Sequence, residues 1–148
     1  MEVKSLFDPA VKAIIIERIN QLTSDSQRKW GKMDASQMLA HVQCPINFAY
    51  GNHSIQGGFL LKLIGPLFKS VLFNNTPYKQ GLPTDKTYII SDQREFEKER
   101  NQLIELVNRF SESNIIDARH PVFGKLTKEQ WSKATWKHLD HHLKQFGV

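Results

Sequence analysis

Residues 136–146, Trp136-Lys137-His138-Leu139-Asp140-His141-His142-Leu143-Lys144-Gln145-Phe146, carry the reading of this chain. On a helix His138 and His142 lie roughly 40° apart around the axis, so both imidazoles project from one face, the spacing of helix-borne metal ligands. At about 100° per residue, Trp131, Thr135, His138, His142 and Phe146 align as one stripe, flanked by Leu139 and Gln145. His141 falls roughly 80° off the centre of that stripe and is marginal. Imidazoles buried within an apolar stripe need partners, because an unpaired polar group in a core costs about 1 to 3 kcal/mol. A metal ion is one such partner; hydrogen bonds to neighbouring groups are the blander one.

Outward from this helix, the chain has 148 residues, 40% of them apolar, enough for one domain over 1–148 with a full core. Cys44 is the single cysteine and excludes an intrachain disulfide. The N-terminus Met1-Glu-Val-Lys-Ser-Leu-Phe-Asp8 has no apolar run of the signal-peptide kind, so the expected location is cytoplasmic. Net charge is +5, from 20 basic and 15 acidic residues dispersed along the chain, which does not argue for nucleic acid as a partner.

Asp8-Pro9 reads as N-cap and first turn of a helix running to about Thr23, with Val11, Ile14, Ile15, Ile19 and Leu22 as its apolar stripe. Asp34 followed by Gln37 resembles a capping box and starts a second helix, whose inner side takes Met38, His41, Val42, Pro45, Phe48 and Ala49. After the Gly57-Gly58 break, the apolar insert at 59–73 is split by Gly65-Pro66 and carries Lys62 and Lys69. It is too short and too charged for a bilayer span, which needs roughly 20 apolar residues. It is expected as a bent amphipathic helix packed on the domain, with an interfacial membrane contact or a homodimer face as alternatives.

Residues 74–90, with Pro77, Gly81 and Pro83, read as a long loop suited to substrate-facing residues. Ser91 or Asp92 is expected to cap a third helix to about Glu112, with Phe96, Leu103, Leu106, Val107 and Phe110 inward and Arg100 as a rim residue on that side. Residues 120–127 form a turn, and Thr127 with Gln130 makes a second capping box opening the last helix. The only strand-like run, Thr87-Tyr-Ile-Ile90, has no ladder to join. The fold class is therefore all-α, a bundle of four principal helices.

His41 is the natural third ligand, since inner faces of the second and last helices of a bundle can meet. Pro45 removes the helical hydrogen bond to the carbonyl of His41 and is expected to kink the helix beside it. His41 together with His138-Leu-Asp-His-His-Leu-Lys-Gln145 resembles the DinB-like (YfiT-like) superfamily of metalloenzymes, whose chains end in H-x-x-H-H-x-x-Q. Residues 30–41 and 120–131 look like a small, functionally uncharacterised branch of it, so the resemblance covers nearly the whole chain. The resemblance implies a four-helix bundle of the DinB-like type, in up-down-down-up order, and a divalent metal held by His41, His138 and His142, with His141 outside the ligand set. The apolar insert between the second and third main helices departs from the pattern.

Three neutral imidazoles leave coordination positions open, as catalytic centres do, with zinc or nickel as the expected ion. Cys44, three residues after His41, is expected as a small buried hydrophobe, not a ligand. Asp140 lies between the ligands but points away from the stripe. Relatives in the superfamily include thiol-dependent transferases and isomerases, and the resemblance implies a metal that activates a low-molecular-weight thiol for transfer to a small-molecule substrate. A metal-dependent hydrolase is the neighbouring reading. A non-catalytic, metal-stabilised binding module that docks through residues 59–73 is the competing class.

Overall fold

Asp8, Asp34 and Thr127 each start a helix through local hydrogen bonds legible in the sequence. Asp8 Oδ1 accepts from the Ala10 N–H at 2.8 Å and opens α1, Pro9–Asn20. Asp34 Oδ1 accepts from the Gln37 N–H at 2.8 Å while Gln37 Oε1 accepts from the Asp34 N–H at 3.0 Å, opening α2, Ala35–Ala49. The same reciprocal pair between Thr127 and Gln130 opens α4, Lys128–Gln145. Satisfying orphan N–H groups in this way stabilises a helix start by about 1 kcal/mol.

The start of α3, Phe96–Asn108, is a correction: its N-cap is Glu95, which makes no side-chain capping bond, and neither Ser91 nor Asp92 serves. The Asp92 carboxylate is taken instead by Arg94 Nε at 3.0 Å. The helix also ends before Glu112, which belongs to a separate short 3-10 turn, Glu112–Asn114. α1 stops at Asn20, short of Thr23, and Ile14 is 49% exposed, not part of the buried stripe. Arg100 pairs with Glu97 at 2.5 Å and lies over the Phe96 ring, the rim position expected of it.

The computed structural model describes residues 1–52, 65–82, 84–116 and 119–148. Among these residues the protein is all-α, with one isolated bridge, His120 to Gly124, and no strand. α2 packs on α3 and α4, and α1 packs on the same two helices, enclosing Ile15, Ile19, Met38, Leu39, Ile46, Leu103, Leu139 and Leu143. Burial of this apolar surface is the main stabilising term. α2 is the most enclosed, with twelve of its fifteen residues buried, so no polar face remains on it and Gln43 must find a partner inside. It does: Gln43 Nε2 donates to Glu99 Oε2 at 2.8 Å, and Arg94 Nη1 reaches Glu99 Oε1 at 3.4 Å. Among the described residues no helix is long and apolar enough to cross a membrane.

Of the apolar insert, Gly57, Gly58 and residues 59–64 lie outside the described residues, as does Pro83. Gly65–Leu72, in the described part of the segment expected as a bent amphipathic helix, is a 3-10 helix. Gly65 is buried, and a Cβ there would run into the Val122 backbone, so only glycine allows this approach. Leu72 and Phe73 pack against the core, whereas Leu67 is 81% and Phe68 55% exposed, contrary to a fully packed amphipathic helix.

Candidate metal centre

α2 and α4 bring His41, His138 and His142 together: ring centroids are 5.0 Å apart for His41 and His138, 4.7 Å for His41 and His142, and 4.7 Å for His138 and His142. One nitrogen from each ring lies within 4.8 Å of the others. A tetrahedral zinc at about 2.0 to 2.1 Å from each nitrogen holds such donors about 3.3 Å apart, so a bound ion would draw the rings closer. These three are the group able to hold a metal among the described residues, and they are the three singled out by spacing and resemblance. His141 stays outside it, packed between Trp30 and Tyr78 with ring centroids 5.7 Å from each.

Two of the rings are oriented by hydrogen bonds that leave one nitrogen free. His41 Nδ1 lies 2.8 Å from the Tyr88 carbonyl oxygen, an acceptor only, so Nδ1 carries the proton and Nε2 keeps its lone pair. His142 Nδ1 donates in the same way to Gln145 Oε1 at 2.8 Å. Gln145 cannot flip freely, since its Nε2 donates to the Trp30 carbonyl at 2.7 Å. Gly31, at φ +80°, lets the Trp30 turn approach: a Cβ on Gly31 would sit 2.5 Å from Gln145 Nε2. This is the outer support that metal-binding imidazoles require. His138 Nδ1 is sealed from solvent and has no hydrogen-bond partner among the described residues, although the residue as a whole is half-buried. An orphaned buried nitrogen in a group of imidazoles fits a metal ion, which would satisfy it.

Burial also keeps these rings neutral, the form that binds metal. It lowers His142 to about 3, helped by the neighbouring His41. It lowers His41 as well, with the Tyr88 hydrogen bond acting the other way, and it drives His138 well below the ordinary range, with His142 and His41 adding to the effect. Cys44 does not join. Its Sγ bonds weakly to the Ala40 carbonyl at 3.6 Å, and burial pushes the thiol up to about 11. Asp140 points away from the rings and pairs with Arg18 at 2.9 Å and Lys144 at 2.8 Å, so it is not available as a base.

Spacing did not reveal the supports. Periodicity placed Gln145 as a flank of the stripe and the resemblance placed it at the end of the H-x-x-H-H-x-x-Q pattern, but neither assigned it a role, although its place three residues after His142 is the i, i+3 signal. Tyr88 acts through a backbone carbonyl 47 residues from His41, within the Lys86–Tyr88 3-10 turn, and no side-chain pattern encodes that. The long loop does face the site, with a main-chain group.

An all-α domain with three convergent imidazoles on two helices is thus the class that fold and site define. The chain belongs to the family described as "Protein of unknown function (DUF1569)", whose model matches residues 4–147. No curated protein and no solved structure matches it.

Proposed function

We propose that this protein is a divalent-metal-dependent enzyme of the DinB-like superfamily, with His41, His138 and His142 as ligands, zinc or nickel as the ion, and a small thiol as the activated nucleophile. The observation that carries the reading is the convergence of three neutral imidazoles, two of them tautomerically fixed with a nitrogen free. The packing of α1, α2, α3 and α4 around one core supports a four-helix bundle of that type.

A divalent ion supplies the Lewis-acid charge that deprotonates a bound thiol or water near neutral pH. The protein's part is to hold it with uncharged donors. Glu99 is engaged with Gln43 and Arg94, and Asp140 with Arg18 and Lys144, so these buried carboxylates leave the ion's charge to an incoming anion. A thiolate suits that vacancy in charge, and the resemblance to thiol-dependent members favours it over hydroxide.

Elemental analysis of the purified protein is expected to give about one divalent metal per chain, lost in His41→Ala, His138→Ala and His142→Ala and retained in His141→Ala. With cobalt in the site, a small thiol should produce a sulfur-to-metal charge-transfer band that Cys44→Ala keeps and His138→Ala loses. Unchanged metal content across the three ligand variants rejects the site; a loaded site without the band leaves activated water as the better account.

A further inference from the structure

The face of α4 that carries His138 continues one turn back to Thr135 and a second turn back to Trp131. Both residues are buried, at 2% and 4% exposure, yet Thr135 Oγ1 and Trp131 Nε1 have no hydrogen-bond partner among the described residues. A buried helical threonine can satisfy its hydroxyl by bonding back to the carbonyl four residues earlier, and Thr135 does not. Leaving a buried donor unpaired is destabilising, and two of them on one stripe beside a candidate metal centre call for a ligand that pairs with both.

The surroundings describe that ligand. Phe48 and His120 close the far end against Trp131: the Phe48 ring lies 5.7 Å from Trp131 and 5.6 Å from His120, and His120 lies 5.8 Å from Trp131. His120 Nδ1 accepts from the N–H groups of Val122 at 3.1 Å and Phe123 at 3.2 Å, so in the neutral ring the proton sits on Nε2, a further donor. On α2 the span from His41 to Phe48 is bridged by Pro45, which has no N–H to offer. The result is a packed group of three rings beside two unpaired, uncharged donors, on the helix face that carries His138.

We propose that Thr135 and Trp131, enclosed by Phe48 and His120, form the substrate-recognition chamber of the three-histidine centre, and that it takes an uncharged molecule whose carbonyl oxygen accepts from Thr135 Oγ1 and Trp131 Nε1. This assignment rests on the metal-centre reading above. It deepens that reading by placing the electrophilic carbonyl compound on the Trp131 side of His138.

The test uses cobalt-loaded full-length protein and two probes of similar size, mercaptoacetamide and propanethiol, with affinities read from the charge-transfer band. Mercaptoacetamide is expected to bind about tenfold tighter, the worth of one well-placed hydrogen bond in an enclosed site. In Thr135→Val and in Trp131→Phe the preference should fall to about twofold, with cobalt content and propanethiol affinity unchanged, and Thr135→Ser should restore it. Because Thr135→Val removes an unpaired hydroxyl at constant shape, its Tm without probe should stay level or rise. A fall of several degrees would mean that the hydroxyl is already paired inside the fold, which overturns the assignment. Equal preference in wild type and variants on a normally loaded protein also overturns it, while failure to take up cobalt at all defeats the metal centre itself.

Discussion

A ligand set is only as good as the groups that aim it, and here a single amide holds the last ligand. Gln145 accepts from His142 and donates to Trp30, and the approach of that turn depends on the left-handed backbone at Gly31. Gln145→Leu keeps the volume but removes both bonds. It is expected to weaken metal binding by about 10- to 100-fold, measured by chelator competition, while far-UV circular dichroism stays unchanged. An affinity within twofold of wild type would show that the ring needs no such support. His41, His138 and His142 were legible because helical spacing is a local property and the buried face can be read from it. The carbonyl of Tyr88 was not, because a main-chain acceptor in a loop leaves no residue-type signature.

Among the elements, α4 does more than carry ligands. Lys137 is 1% exposed, a burial no periodicity argument anticipates for lysine, and it works as an anchor. Its Nζ donates to the Val71 carbonyl at 2.7 Å, the Asn74 carbonyl at 3.0 Å and Asn74 Oδ1 at 2.9 Å, and it lies 4.5 Å from the centre of the Tyr78 ring. Tyr78 in turn packs on His141. Lys137 therefore ties the end of the Gly65–Leu72 helix to the helix bearing His138 and His142. Lys137→Met retains the aliphatic stem and leaves three acceptors unpaired, so urea denaturation at neutral pH should show a loss of about 2 to 4 kcal/mol. A loss below about 0.5 kcal/mol would show that water replaces the ammonium without penalty. The caps at Asp8, Asp34 and Thr127 could be read from sequence because each acts within three residues. Helix α3 could not be started correctly, since Arg94 competes for the Asp92 carboxylate and tertiary pairing overrides the local preference.

For the whole molecule, the all-α class followed from the apolar periodicities, but which helices touch depends on contacts far apart in sequence. One such contact sets how stability should respond to acid. His120, in the turn before α4, is lowered by burial to about 4, with Asp85 acting weakly the other way. Protonating Nδ1 would also cost the bonds it accepts from Val122 and Phe123. The unfolded chain binds this proton near pH 6.5 and the folded protein only near 4, so the unfolded state holds more protons across that window. Stability from this group is therefore full above about pH 6.5, falls with decreasing pH and levels off below about 4, a loss of at most about 3 kcal/mol. His120→Asn keeps an acceptor for the two N–H groups and removes the titration. In metal-free protein the other buried imidazoles contribute equally to both forms, so the difference between wild type and variant isolates His120. Urea midpoints measured from pH 7 to pH 4 should show wild type losing ground to the variant as the pH falls. Parallel pH profiles for the two proteins would mean that the turn opens to solvent before the ring has to titrate inside it.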